Sequence, residues 1–293
     1  MFKFIKRHFF RFNILVILVL LLIHFVLKES SFSLSVIYYT FPLPLIIIVV
    51  LLLSVFLRKK RRHYNLVLAL ILITIWLARS FKINTSEDIL ETDIEIMFWN
   101  ATHKRELIDV FENNNNNLPD VVVLVEYHAE DIEDDKLKYP NFHFYWHKES
   151  EIGVFSKTPI EIKNVAISDD ETVVINFTTY NLNFYAVDVD GNMNIYREDQ
   201  LKFVTETIKT TTNTVVLGDF NTPMESRFLN NIEVDFNQVL NEKGTGFRET
   251  WFWNLPLLSL DHIWVSKDMQ ILNAEKLSTL KSDHSMIKTV IRK

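Results

Sequence analysis

The chain has no cysteine among its 293 residues. Disulfides, thiol nucleophiles and cysteine-ligated metals are therefore excluded. Acidic residues are nearly missing from its first part: residues 1–82 hold 12 of the 31 Lys and Arg but only one acid, Glu29. The remainder carries 19 basic and 36 acidic residues, a formal balance of −17. A domain of that sign lacks an obvious basic stripe. Nonspecific affinity for nucleic acid comes from neutralised phosphates, so tight duplex binding is disfavoured. Lys202, Lys209, Lys243 and Arg248 offer at most a local patch and are scattered in sequence.

The basic part is also the apolar part, which describes a membrane anchor followed by an acidic domain. Val36 to Leu57 is 22 residues without a charge, long enough to cross a bilayer. Shorter runs flank it, so the expected spans are about 13–27, 36–57 and 64–79, with residues 1–83 as the anchor and 84–293 as the catalytic domain. Phe9, Phe10 and Phe12 extend the first run, and a snorkelling Arg79 lets Phe81 and Ile83 extend the third. No small-x-small cleavage site follows the first run, which argues against a signal peptide. Lys3, Lys6, Arg7 and Arg11 precede the first span, and Arg58 to Arg62 lie between the second and third. Basic clusters stay cytoplasmic. The expectation is a multi-pass cell-membrane protein with its catalytic domain extracytoplasmic. Pro42 and Pro44 are expected to kink the second span. No span carries paired charges, which argues against a channel, and no protein partner is indicated.

Beyond residue 84 short strands alternate with helices: strands near 93–99, 120–125, 142–147, 151–156, 161–167, 171–179, 182–188, 214–217, 260–265 and 286–291, and helices near 104–115, 129–137 and 197–210. Helix 197–210 has its apolar face at Leu201, Val204 and Ile208. The run Asn113 to Asn117 reads as a polar loop. Gly218-Asp219-Phe220-Asn221-Thr222-Pro223 follows the apolar run Thr214 to Leu217. Alternate residues of an extended segment point the same way, so Asp219 and Asn221 can face one pocket where the strand ends. A plain Asx-turn is the competing reading. Four further segments place polar residues at strand ends: Asn100 after Ile94 to Trp99, Glu126 after Asp120 to Val125, Asp261-His262 at the head of a strand, and Ser282-Asp283-His284 before Met286 to Ile291.

The order Asn, Glu, Asp-x-Asn, Asp-His, Ser-Asp-His resembles the endonuclease/exonuclease/phosphatase superfamily, over roughly residues 93 to 293. Ile152 to Ile160 is similar to the superfamily's "G-hydrophobic-Ser-basic-x-Pro" strand and turn. The resemblance implies an α+β fold, a four-layer α-β-β-α sandwich of the DNase I-like type, here preceded by N-terminal transmembrane helices. It implies a phosphodiester hydrolase in which Glu126 is the main metal carboxylate, Asn100 assists and Asp283 completes the shell. The oxygen-rich donor set suits Mg²⁺ or Mn²⁺. Asp219 would activate water, Asn221 would bind the phosphoryl group, and His284 would stabilise the charged centre while Asp261 accepts from its other nitrogen. The substrate, nucleic acid or phospholipid, stays undecided. A non-catalytic surface protein keeping the fold is the alternative.

One position departs from the superfamily's pattern: Asp188 stands where a phosphate-contacting His is expected. A carboxylate there repels phosphate unless it binds a cation or is protonated. The run Asp188 to Asn192 reads more simply as a turn than as a cation loop. His103, His128, His143, His147 and His262 read as surface or packing residues, with His128 two positions from Glu126. Of Trp251, Phe252 and Trp253, at least two are expected in the core, against a membrane-facing lip as the alternative.

Overall fold

The computed structural model of the protein describes residues 2–103, 107–128 and 132–293. The starts of the helices expected from 104 and 129 therefore lie outside the described residues. The chain divides into two compact units, Met1–Phe81 and Lys82–Lys293.

The first unit is helical: α1 (Phe2–Leu22, continued by a π-turn to Leu27), α2 (Phe32–Thr40), α3 (Leu43–Val55) and α4 (Lys59–Ser80). The two runs that looked short in sequence form long apolar helices, His8–Leu27 with 20 residues and Lys59–Ser80 with 22. The run that looked longest is the one that breaks. Its two halves, α2 and α3, meet at 72°. The cause is local: Pro42 caps α3 in an extended conformation, with ψ at 160°, and lacks the N–H that a continuous helix needs. The kink expected within the span at 36–57 is thus present, as a bend between two helices. Among the described residues, two helices can cross a membrane by length and composition, or three if the bent pair is one span. Inside this unit the Asn65 amide donates to Asn13 Oδ1 at 2.9 Å, joining α1 to α4. Such polar contacts fix helix pairing where there is no water to compete.

The second unit contains two six-stranded sheets. Its strands are β1 (Ile94–Asn100), β2 (Val121–Val125), β3 (His143–His147), β4 (Ile152–Ser156), β5 (Glu161–Ile167), β6 (Val173–Thr179), β7 (Leu182–Asp188), β8 (Thr214–Asp219), β9 (Phe236–Gln238), β10 (Asp261–Ser266), β11 (Gln270–Leu277) and β12 (Met286–Arg292). The first sheet has the order β11-β12-β1-β2-β4-β3 and the second β9-β10-β8-β7-β6-β5. Each sheet has one parallel pair at its centre, β1 with β2 and β7 with β8, in otherwise antiparallel surroundings. Helices α5 (Leu107–Asn113) and α6 (Ile132–Lys138) and helix α7 (Arg197–Thr207) supply the outer layers.

Side-chain alternation builds the four layers. In β1, Ile96 and Phe98 enter the core between the sheets, while Met97 and Trp99 meet Leu107 and Val110 of α5 on the outside. In β8, Val215 and Leu217 face inward and Val216 meets Leu201 and Val204 of α7. Strands buried on both faces read as unbroken apolar runs, which explains why β1, β2 and β8 stand out in the sequence. Strand β11 was not expected. It lies at a sheet edge, carries a bulge between Ile271 and Asn273, and reads as a mixture of polar and apolar residues.

With only five glycines, tight turns fall to other residues. Asn115, Asn116, Asn181, Asn213, Asn221 and Asn254 all have positive φ, a conformation that Asn tolerates better than most side chains. Gly218 cannot be replaced so easily: a Cβ there would lie 1.9 Å from the Val187 carbonyl oxygen. The parallel pairing of β7 with β8 is that close.

Candidate active site

The inner-face periodicity continues past the hydrophobic core to the strand ends. Asn100 follows Ile96 and Phe98 by two, Asp188 follows Phe184 and Ala186, and Asp219 follows Val215 and Leu217. Asp261 precedes Ile263 and Val265 by the same step. All four side chains therefore belong to the inner faces, at one mouth of the double sheet. Register aligns three of them: Asp219 is paired with Asp188 on one neighbouring strand and with Asp261 on the other.

Contacts close this set into one centre. The Asn100 amide donates to Glu126 Oε1 and to Asp219 Oδ2, both at 3.0 Å. Its own oxygen accepts from the Thr102 amide at 3.0 Å. Asp219 Oδ1 accepts from the Asn221 amide at 2.8 Å, so the Asx-turn that was the competing reading of the motif forms as well. His284 Nδ1 lies 2.9 Å from Asp261 Oδ2 and 3.8 Å from Asp219 Oδ2. Ser282 Oγ donates to the Asn100 carbonyl and accepts from the His284 amide, each at 3.0 Å. Glu126, Asp219 and His284, from three distant stretches, are thus linked side chain to side chain.

The electrostatics follow from burial. Asp219, Asp261 and His284 can each place one ligand atom within 4.8 Å of the others, and all three are buried. Burial pulls the His284 pKa down, but Asp261, with Asp219 and Asp283 behind it, outweighs this and pushes it up to about 10. His284 is an imidazolium at neutral pH. Because its Nδ1 faces the Asp261 carboxylate, the trio is an ion-pair cluster rather than an open ligand set. Burial and the neighbouring Asp261 raise the Asp219 pKa, against His284 and the N–H donors of Asn221 and Asn100. Asp188 is pushed well above the usual carboxylate range by burial, then by Asp219, Glu126 and Asp190. Anionic charge is crowded here beyond what His284 neutralises.

Other predicted residues take less central places. Asn221 uses one amide hydrogen on the Val189 carbonyl at 2.8 Å. Asp283 Oδ2 accepts from Trp251 Nε1 at 2.9 Å, on the His284 side of the centre. The run after Asp188 forms successive Asx turns, Asn192 N to Asp190 Oδ1 and Asn194 N to Asn192 Oδ1. His262 is buried against Phe220 and Trp264, and burial lowers its pKa to about 4.

One sequence reading needs extending and another correcting. His103 is a surface residue, as expected, at 59% exposure, but its Nε2 lies 3.1 Å from Glu126 Oε2 and its Nδ1 meets Glu151, which also faces His128. No spacing in the sequence announced this, since positive φ at Thr102 and His103 turns the chain back over Glu126. Phe252 and Trp253 are exposed rather than buried, because the loop that carries them is held by its backbone to the 279–285 loop instead of by the core.

A cleft of about 490 Å³ opens beside the centre. Its walls include Glu126, Glu149, Glu151, Glu171, Asp188 and Asp190, with His103 as the one basic residue among the described lining.

A double-sheet sandwich with this mouth defines a hydrolase acting on phosphoester bonds. The chain belongs to the Endonuclease/Exonuclease/phosphatase family, whose sequence profile matches residues 97–284, well over half of its length. No curated protein matches it in sequence. Among solved structures, D. rerio TDP2 complexed with a single-strand DNA product is similar at 16% identity and a TM-score of 0.51, covering 69% of this chain and 100% of its own. A family protein from Bacteroides thetaiotaomicron has 12% identity and a TM-score of 0.53, covering 68% and 97%. A functionally unknown protein from Enterococcus faecalis has 13% identity and a TM-score of 0.51, covering 68% and 99%. At these identities the likeness is one of fold.

Proposed function

We propose that the protein is a membrane-anchored, divalent-metal-dependent phosphodiesterase whose catalytic unit lies outside the cytoplasm. The observation that carries the chemistry is the linkage of Asn100 to both Glu126 and Asp219, with the His284–Asp261 ion pair on Asp219's other side. The residues fit a hard cation. Their ligand atoms are carboxylate and amide oxygens, and the raised pKa values of Asp188 and Asp219 mark anionic charge that lacks compensation. Glu126 and Asn100 would hold Mg²⁺ or Mn²⁺, with Asp283 completing the shell. The ion supplies Lewis-acid polarisation of the phosphoryl oxygen.

This chain's own groups do the rest. Asp219 accepts a proton from the attacking water. The Asn221 amide, with one hydrogen already committed, offers the other to a phosphoryl oxygen. His284, already cationic, stabilises charge as it accumulates on the phosphoryl group. Asp261 keeps that imidazolium oriented. The acidic cleft disfavours polyanionic strands, so small or lipid phosphodiesters are the favoured substrates over nucleic acid.

Orientation rests on charge. If the bent α2–α3 pair crosses the bilayer as one span, the basic N-terminus and the Arg58–Arg62 cluster share the cytoplasmic side and α4 delivers the catalytic unit outside. If the pair does not cross, the second cluster is placed outside, against the rule.

The test is hydrolysis of bis-p-nitrophenyl phosphate by the full chain in detergent. Turnover that needs Mg²⁺ or Mn²⁺ and vanishes in Asp219→Ala and His284→Ala is expected. Absence of metal-dependent cleavage of any phosphodiester would leave the non-catalytic reading, for which Asp188 is the one structural argument.

A further inference from the structure

We infer that His262 is a positioning residue, whose imidazole holds the turn that presents Asn221 to the phosphoryl group; the inference rests on the phosphodiesterase reading above. Strand alternation gives the Asp261-His262 pair two faces. Asp261 and Ile263 belong to the inner face, His262 and Trp264 to the outer layer. There His262 is fully buried, edge-on to Phe220 with ring centres 5.5 Å apart. Its Nε2 lies 2.8 Å from the Thr222 carbonyl oxygen. A carbonyl only accepts, so Nε2 carries the proton and donates it. The other nitrogen, Nδ1, is buried and meets no hydrogen-bond partner among the described residues. An unpaired buried nitrogen costs stability, which an apolar ring in the same space would not. The imidazole is accounted for by the one bond it makes.

That bond falls where the turn needs it. Asn221 has a φ of 46°, a left-handed conformation that Asn tolerates without preferring. Contacts on both sides hold it there. Upstream, Asp219 Oδ1 accepts from the Asn221 amide, and the Phe220 amide donates to the Leu260 carbonyl at 3.0 Å. Downstream, the Thr222–Pro223 peptide has no N–H. Its carbonyl is its one hydrogen-bonding group, and that is the group His262 takes. The Met224 amide then donates to Ser259 Oγ at 3.1 Å. Ser259, Leu260 and His262 thus tether the turn at three points, and the His262 bond is the first one after Asn221. With the backbone so fixed, Asn221 Nδ2 commits one hydrogen to the Val189 carbonyl at 2.8 Å and keeps the other for substrate. Neighbours in sequence therefore serve two different groups of one centre. Asp261 orients the imidazolium, and His262 orients the amide.

The experiment is a double-mutant cycle on the full chain in detergent. It is read as kcat/KM for bis-p-nitrophenyl phosphate with Mg²⁺ or Mn²⁺, below each variant's melting transition. His262→Phe keeps an aromatic ring and removes the donor. It should lower kcat/KM about 10- to 100-fold, as a misplaced binding group does. His262→Gln returns an amide N–H near the place of Nε2 and should restore most of that loss. With Asn221→Ala already present, His262→Phe should cost less than about threefold, because the residue it acts through is gone. If His262→Phe does not fold, His262→Asn, whose amide ends short of Nε2, takes its place in the same cycle with the same expected outcome. Equal losses in the two backgrounds would overturn the inference and leave the hydrolase reading intact. Wild-type activity in His262→Phe, or no recovery in a folded His262→Gln, would do the same. A wild type without metal-dependent turnover would overturn the hydrolase reading and the inference together.

Discussion

The two sheets of the catalytic unit share a plan and differ at their mouths. Each has six strands around one central parallel pair. The β1–β2 pair ends in Asn100 and Glu126, an amide beside a single acid, whereas β7, β8 and β10 end in a registered row of three acids. Neighbouring strands lie ~4.8 Å apart, too close for three adjacent carboxylates to ionise freely. The second sheet needs charge from outside itself. The first sheet's side supplies His284, from the segment before β12, and the Asn100 donor. The lesson is that the two layers are electrostatically unequal partners, and the candidate centre lies where one compensates the other.

That inequality can be broken from either side. Asp219→Ala removes the middle of the acid row and is expected to have the largest effect, a loss of about 10³–10⁴ in kcat, as for a positioned base, read by phosphodiester hydrolysis. His284→Gln removes the compensating cation and should cost about 10²–10³ in kcat. The same variant has a second signature. The folded-state pKa of His284 is about 10, above its ordinary 6.5. Its stabilising contribution is therefore complete below pH 6.5 and is lost as pH rises toward 10. Thermal melts of the wild type should fall across that window more steeply than those of His284→Gln.

Glu126→Gln weakens the first sheet's acid. The metal concentration for half-maximal activity should rise more than about tenfold, since even groups that only support ligands cost 10–100-fold. Asp188→Asn should be the mildest change and of opposite sign for stability. A carboxyl whose folded pKa lies above its unfolded value destabilises the fold once pH exceeds the unfolded value. Asn removes that penalty, so the melting temperature should rise at pH 7 and the difference should shrink toward pH 4. Each 1 kcal/mol gained appears as about 2–4 °C in a domain of this size.

Two motifs, one beside each sheet, were easier to see in the sequence than the rest of the centre. Gly218-Asp219-Phe220-Asn221 and Ser282-Asp283-His284 combine a doubly buried strand with polar residues in fixed order, and the structure joins Asp219 to His284 at 3.8 Å. Asn100 and Glu126 were legible only as strand ends, because what makes them a pair is the parallel β1–β2 register. His103 was not legible at all, since its position depends on left-handed backbone at two non-glycine residues. Strand β11 escaped because an edge strand with a bulge keeps no clean period. In the helical unit hydropathy located the apolar segments, but Pro42 decided which of them is continuous.

The place of β12 has a consequence for biosynthesis. Residues 286–292 insert between β11 and β1 rather than adding to an edge, and the hydroxyl of Ser282 ties the loop before them to Asn100, 182 positions upstream. Contacts so distant in sequence form late. A nascent chain whose residues 282–292 have yet to emerge lacks both its imidazolium and the strand that completes the first sheet. The candidate centre is therefore incomplete until the β11–β12 hairpin docks.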